Sequence, residues 1–215
     1  MMDNFVYLIG DVNKREAIVV DPAWDVDGIC EIAEADGMKI VGALCSHYHP
    51  DHVGGAMMGH TVQGIARLLE RTGGVPIHVH AADIPYVVGV TGVATSDLTP
   101  RRHGDRIEVG DVHVEWLHTP GHTPGSSCFR CKNALLSGDT VFMSGCGRTD
   151  LPGGDTEEMY RTLHERLAAL PGDLVLYPGH NYGGASAPLS EVRRTNPFLA
   201  TDGPSAFRAK RDAPR

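Results

Sequence analysis

Ser46-His47-Tyr48-His49-Pro50-Asp51-His52 follows directly on the apolar run Ile40 to Cys45. An extended chain sends residues i and i+2 to one side, so His47 and His49 leave the end of that strand together. Pro50 cannot continue a ladder, and the turn it imposes re-aims Asp51 and His52. The chain holds 12 histidines in 215 residues, and three of them crowd here with an acid. Imidazole and carboxylate suit zinc and iron, whereas unpaired imidazoles packed at one strand end would titrate and repel one another. A divalent cation is a more economical reading than a polar loop with chance histidines.

Upstream, Phe5 to Ile9 and Ala17 to Val20 are apolar and β-prone, with the polar stretch Gly10 to Glu16 as the turn between them. Asp25 is placed to cap a helix carrying Val26, Ile29, Ile32 and Ala33 on one face, closed by Gly37. Downstream, Val62, Ile65, Ala66, Leu68 and Leu69 predict an amphipathic helix ended by Gly73-Gly74. The apolar segment Ala56 to Thr61 between motif and helix carries Met57, Met58 and His60. It reads as a substrate-pocket wall, a buried loop or a subunit contact, and His60 as a structural histidine.

Val75 to His80 alternates as a strand, and His78 and His80 read as structural because no further ligand follows at metal spacing. Ala82 to Arg102 has no clean period, which predicts a short helix and a loop near the site. Val112 to His118 alternates again and runs into Thr119-Pro120-Gly121-His122-Thr123-Pro124-Gly125, where prolines and glycines present one imidazole rigidly. Short strands follow over Ser127 to Arg130 and Ala134 to Leu136, the second delivering Asp139. Gly145 to Asp150 is a glycine-bounded loop, and Asp155 with Glu158 suggests a capping box for a helix burying Met159, Leu163 and Leu167. Leu174 to Tyr177 reads as the last strand and ends in Pro178-Gly179-His180. Ligand-type residues therefore recur at four strand ends, which is how a site is assembled on one edge of a sheet sandwich.

The length and the 41% hydrophobic content support one domain with a full core. A formal charge of −8 offers no basic stripe and argues against a nucleic-acid partner, leaving a small-molecule substrate. No apolar run spans a membrane, and Met1 to Gly10 does not resemble a signal peptide, so a cytoplasmic location is expected. Five cysteines do not make a secreted disulfide framework, and Cys128 and Cys131 read as strand and turn residues. A homodimer stays open, and the tail from about Thr201 to Arg215, rich in Arg, Lys, Pro and Asp, is expected to be loosely ordered.

His47, His49, Asp51 and His52 in one motif, then His122, Asp139 and His180 each after a strand, resemble the metallo-β-lactamase superfamily over nearly the whole chain. The resemblance implies an α+β fold, a four-layer αββα sandwich with metals in a cleft at one edge. It further implies that His47, His49 and His122 hold one divalent metal, Asp51, His52 and His180 a second, and that Asp139 bridges them. Zinc is the leading choice, with iron or manganese also compatible with such ligands. A hydroxide shared by two metals then attacks a thioester or ester, oriented by Asp51.

Gly-Cys-Gly-Arg-Thr-Asp at 145 to 150, and Pro178-Gly179-His180 with Tyr182 just after, are most similar to the glyoxalase II and persulfide dioxygenase branch. Glyoxalase II implies hydrolysis of a small thioester at two metals. A persulfide dioxygenase implies a single Fe(II) on His47, His122 and Asp139. Lactonase and weak β-lactamase activities are further readings, the last disfavoured because common two-zinc lactamases carry Cys where this chain has Asp139. Glyoxalase II enzymes bind glutathione with a C-terminal helical region, and the short stretch after His180 leaves little room for one. Arg148 is a candidate for binding a substrate carboxylate or for pairing with Asp150 or Asp155; Tyr182 for a substrate carbonyl or for packing under the tail. Asp21 is a candidate partner for a ligand histidine.

Overall fold

The computed structural model describes residues 3–213. Positions 1–2 of the opening segment and 214–215 of the tail lie outside the described residues. The chain opens with the antiparallel pair β1 (Tyr7–Asp11) and β2 (Glu16–Val20), then α1 (Val26–Ala35) and β3 (Lys39–Leu44). The Asp25 carboxylate accepts from Gly28 N and caps α1 as the sequence suggests. A single turn, α2 (Pro50–Val53), follows the histidine motif.

Next come the hairpin strands β4 (Gly55–Met57) and β5 (His60–Val62), then α3 (Ile65–Thr72), β6 (Ile77–His80), α4 (Ile84–Thr91) and β7 (Leu98–Arg101). The Ala56 to Thr61 segment is therefore a hairpin, and α3 begins three residues later than the apolar spacing predicts because Val62 pairs with Gly55. The second half contributes β8 (Arg106–Val109), β9 (Val112–His118), β10 (Ser127–Cys131), β11 (Ala134–Gly138), α5 (Thr156–Arg161), β12 (Val175–Pro178), β13 (Ala187–Pro188), α6 (Leu189–Thr195) and α7 (Pro204–Asp212).

Two sheets result, in the orders β1-β2-β3-β6-β7 and β13-β12-β11-β10-β9-β8. Three apolar clusters mark three interfaces. Ile18, Leu44, Val114, Trp116, Phe129 and Leu136 lie between the sheets. Val26, Ala33, Leu68 and Val87 seat α1, α3 and α4 on the outer face of the first sheet. Met159, Leu163, Leu189, Val192 and Phe207 seat the later helices on the second. The arrangement is the four-layer αββα sandwich of the metallo-β-lactamase fold, as one domain. At its centre Trp116 and Phe129 meet edge to face at 4.8 Å, and the indole N–H is satisfied by Ser127 Oγ at 2.8 Å.

Two local expectations are corrected. Glu158 closes no capping box: Asp155 caps α5 alone, because the Glu158 carboxylate pairs with Arg161 and Arg166 instead. The tail is not loose over its described length, because α7 forms and Phe207, with no exposed surface, packs against Tyr160 and Phe198. No helix among the described residues is long and apolar enough to cross a membrane.

Candidate metal centre

Strand direction brings the ligand loops together. β9 and β11 are both antiparallel to β10, and β12 is parallel to β11, so β9, β11 and β12 all end on one edge. Their following residues carry His122, Asp139 and His180, and the loop after β3 delivers His47 to His52 to the same edge. Ligand atoms converge within 4.8 Å of one another in three groups: His47, His49 and His122; Asp51, His52 and His180; and His47, His52 and Asp139. All seven residues expected from the sequence are there. His60, His78 and His80 belong to no such group among the described residues. His78 Nδ1 accepts from Arg101 Nε, and His80 stacks on His118 at 3.8 Å.

The second ring nitrogen of each ligand histidine shows how it is aimed. His122 Nδ1 donates to the Arg148 carbonyl at 2.7 Å, which leaves Nε2 bare and facing inward. His52 Nδ1 donates to Asp21 Oδ2 at 2.9 Å. Ser46 Oγ donates to that same oxygen at 2.6 Å and lies 3.0 Å from His47 Nδ1, which fits the ring donating to the hydroxyl. One buried carboxylate thus fixes the tautomers of two ligand histidines, the part the sequence suggested for Asp21.

Three inward-facing buried atoms, His47 Nε2, His122 Nε2 and Asp139 Oδ1, have no hydrogen-bond partner. Buried polar atoms are ordinarily satisfied, so an orphaned set pointing at one spot fits a cation and little else. Burial pushes His49 down to about 3 and lowers His47 and His122, which keeps those rings neutral as metal binding requires. Burial works the same way on His180, but Asp139 and Asp51 outweigh it and hold the ring up at about 9.

The supporting roles of three residues escaped the sequence reading. Asn4 Nδ2 donates to Asp51 Oδ2 and to the Asp51 carbonyl, both at 3.1 Å. Asp83, 1% exposed at the start of α4, accepts from Thr123 Oγ1 at 2.7 Å and Gly125 N at 2.6 Å, clamping the loop that carries His122. Burial pushes its carboxyl up to about 6 against those bonds. Asp83 sits in a stretch without periodicity, so only its place before Ile84-Pro85 hinted at a helix start. Gly147 is where two ligand loops touch: a Cβ there would lie 2.0 Å from the Asp139 carbonyl and 2.8 Å from His122 Cγ.

A cavity of about 660 Å³ opens over the centre. Asp51, Asp139 and His180 form its floor, with Phe142 and Leu151 at the sides and Lys210 and Arg211 of α7 on the rim. Arg148 and Tyr182 both line it. The Arg148 fork is engaged with Asp150 at 2.9 and 2.7 Å, the internal pairing foreseen as one of its two fates. Tyr182 stacks on His180, ring centroids 5.0 Å apart, and meets Phe142 edge to face.

Residues 2–180 match the Metallo-beta-lactamase superfamily. The human mitochondrial persulfide dioxygenase ETHE1 is 30% identical over 200 residues, covering 91% of this chain and 71% of that protein. A probable polyketide biosynthesis zinc-dependent hydrolase, BaeB of Bacillus velezensis, is 30% identical over 183 residues, covering 85% of this chain and 75% of that one. The crystal structure of ETHE1 from Myxococcus xanthus superposes with a TM-score of 0.83 at 27% identity, over 100% of this chain and 88% of that one. The chain therefore belongs to the metallo-β-lactamase superfamily, in its ETHE1-like branch related to glyoxalase II.

Proposed function

We propose that this metalloenzyme is a hydrolase of small thioesters or esters working with two divalent metals, zinc being the leading choice. The observation that carries the reading is the position of Asp139. One of its oxygens lies 3.3 Å from His52 Nε2, and the other 3.3 Å from His180 Nε2 and 3.7 Å from His122 Nε2. Were two metals bound, His47, His49 and His122 would hold one and Asp51, His52 and His180 the other, with the Asp139 carboxylate within reach of both sets.

Metals bound there would polarise a substrate carbonyl and bring a water near neutrality in acidity, so no protein nucleophile is needed. Asp51, steadied by Asn4, orients the attacking water and holds its proton. Tyr182 offers its phenol to the substrate carbonyl oxygen. Arg148 can exchange its exposed Asp150 partner, a pairing of little net strength, for a substrate carboxylate.

A second reading, an iron persulfide dioxygenase using His47, His122 and Asp139, is favoured by the 30% identity to ETHE1. Elemental mass spectrometry on protein purified without chelator separates the two. About two metals per chain with thioester turnover supports the hydrolase. About one iron, with oxygen uptake on a persulfide, supports the dioxygenase. Replacing Asp139 with Ala abolishes either activity, whereas a His180→Ala protein with undiminished thioesterase turnover overturns the two-metal hydrolase.

A further inference from the structure

We infer that the hairpin β4–β5 is the specificity element of this cavity, and that the substrate presents an apolar acyl or alkyl group to Met57 and Met58. The inference rests on the cavity being the substrate site, and it holds under the hydrolase and dioxygenase readings alike.

The hairpin starts at Gly55, three residues after the ligand His52, so its base moves with the metal centre. That base is fixed closely. A Cβ on Gly64 would lie 2.0 Å from the Val53 carbonyl oxygen, so no side chain fits where the hairpin is pinned at its root. Register pairs Met57 with His60 across a two-residue loop, Met58-Gly59, with φ of +50° and +80°. Positive φ at both loop residues marks a type I′ turn, whose first position ordinarily takes Asn, Asp or Gly. A methionine there costs about 1–2 kcal/mol of backbone strain, and this one is also 85% exposed.

A large apolar side chain at a strained, solvated tip gains nothing from the fold. It gains burial only when something apolar enters beside it. Both Met57 and Met58 line the same cavity as Asp51 and Asp139, with Phe142 and Leu151 among its other walls. Unbranched, polarisable thioethers adapt to chains of differing length, which suits a flexible hydrocarbon group better than one rigid ring. An apolar substituent held between the hairpin and Phe142 is thereby placed beside the metal-facing carboxylates.

The test is the affinity of n-alkyl hydroxamates, from acetohydroxamate to octanohydroxamate, for the metal-loaded protein by calorimetry. Their head group binds zinc and iron, and only the tail varies. We expect affinity to rise about twofold or more per methylene in the wild type. Met58→Asn, whose side chain fits the turn and keeps the hairpin folded, should flatten that dependence without weakening acetohydroxamate. Met58→Leu should restore it. With ¹³C-methyl methionine, the Met58 signal should shift with octanohydroxamate and not with acetohydroxamate.

An equal slope in wild type and Met58→Asn overturns the inference. So does a change of oligomeric state in Met58→Asn with the slope intact, which makes the hairpin a contact between copies. A wrong choice of reaction shows in the turnover assays and leaves this slope untouched, so the two failures are distinguishable.

Discussion

The carboxylate of Asp21 accepts a hydrogen bond from His52 Nδ1 at 2.9 Å and, on its other oxygen, one from Ser46 N at 2.6 Å. It therefore turns Nε2 of His52 toward Asp139, 3.3 Å away, and His180, 3.2 Å away, while holding the backbone from which His47 departs. Asp21→Ala should lower metal occupancy and turnover by about 10–100-fold, and stability by about 1–3 kcal/mol for the buried Ser46 amide left unpaired. Asp21→Asn can still accept from Ser46 N but opposes an amide N–H₂ to His52 Nδ1–H. It should match Ala in metal loss while keeping more of the stability. Metal analysis and urea unfolding of both variants check this.

Gly147 tests whether loop contact matters apart from ligand chemistry. Gly147→Ala removes no ligand, yet its methyl would meet the Asp139 carbonyl and the His122 ring. Displacing ligands by even an ångström is costly in a positioned site. At least a tenfold loss in kcat with normal folding by circular dichroism is the expected result.

Asp83 gives a pH signature. Its carboxyl is raised from 3.8 to about 6, so the folded chain holds a proton there that the unfolded chain has released across that interval. The contribution of Asp83 to stability is therefore most favourable below pH 4 and falls as pH rises through about 6, by about 3 kcal/mol in all. Asp83→Asn lacks that slope. Unfolding midpoints of both proteins from pH 4 to 7 should diverge, with the wild type gaining relative to the variant toward the acid end; parallel curves would refute it.

Phe207 anchors α7, and α7 carries Lys210 and Arg211 to the cavity rim. Phe207→Ala should cost about 3 kcal/mol, the low end for such a truncation because α7 lies at the edge of the fold. Loosening that wall should raise KM for an anionic substrate more than it lowers kcat, measurable in steady-state assays.

The histidine motif at 46 to 52 was legible because its chemistry is local: strand, proline, and four ligand types within one turn. His122, Asp139 and His180 were legible for the same reason, each following a β-prone run. The helix starting at Pro204 was not, since its stretch is polar and Phe207 is its one large apolar side chain, whose burial depends on Tyr160 and Phe198 from elsewhere in the chain. The hairpin at 55 to 62 was hidden likewise, its register set by backbone contacts at Gly54 and Gly64 rather than by a hydrophobic period.

Sequence by itself determined which residues can bind metal and that they would lie at strand ends, because ligand type and strand periodicity are properties of neighbouring residues. Only the tertiary structure decided that Asp139 lies between two clusters, that Asp83 clamps the His122 loop, and that Met58 overlooks the cavity. Those are distances between segments far apart in the chain, and packing of the two sheets sets them.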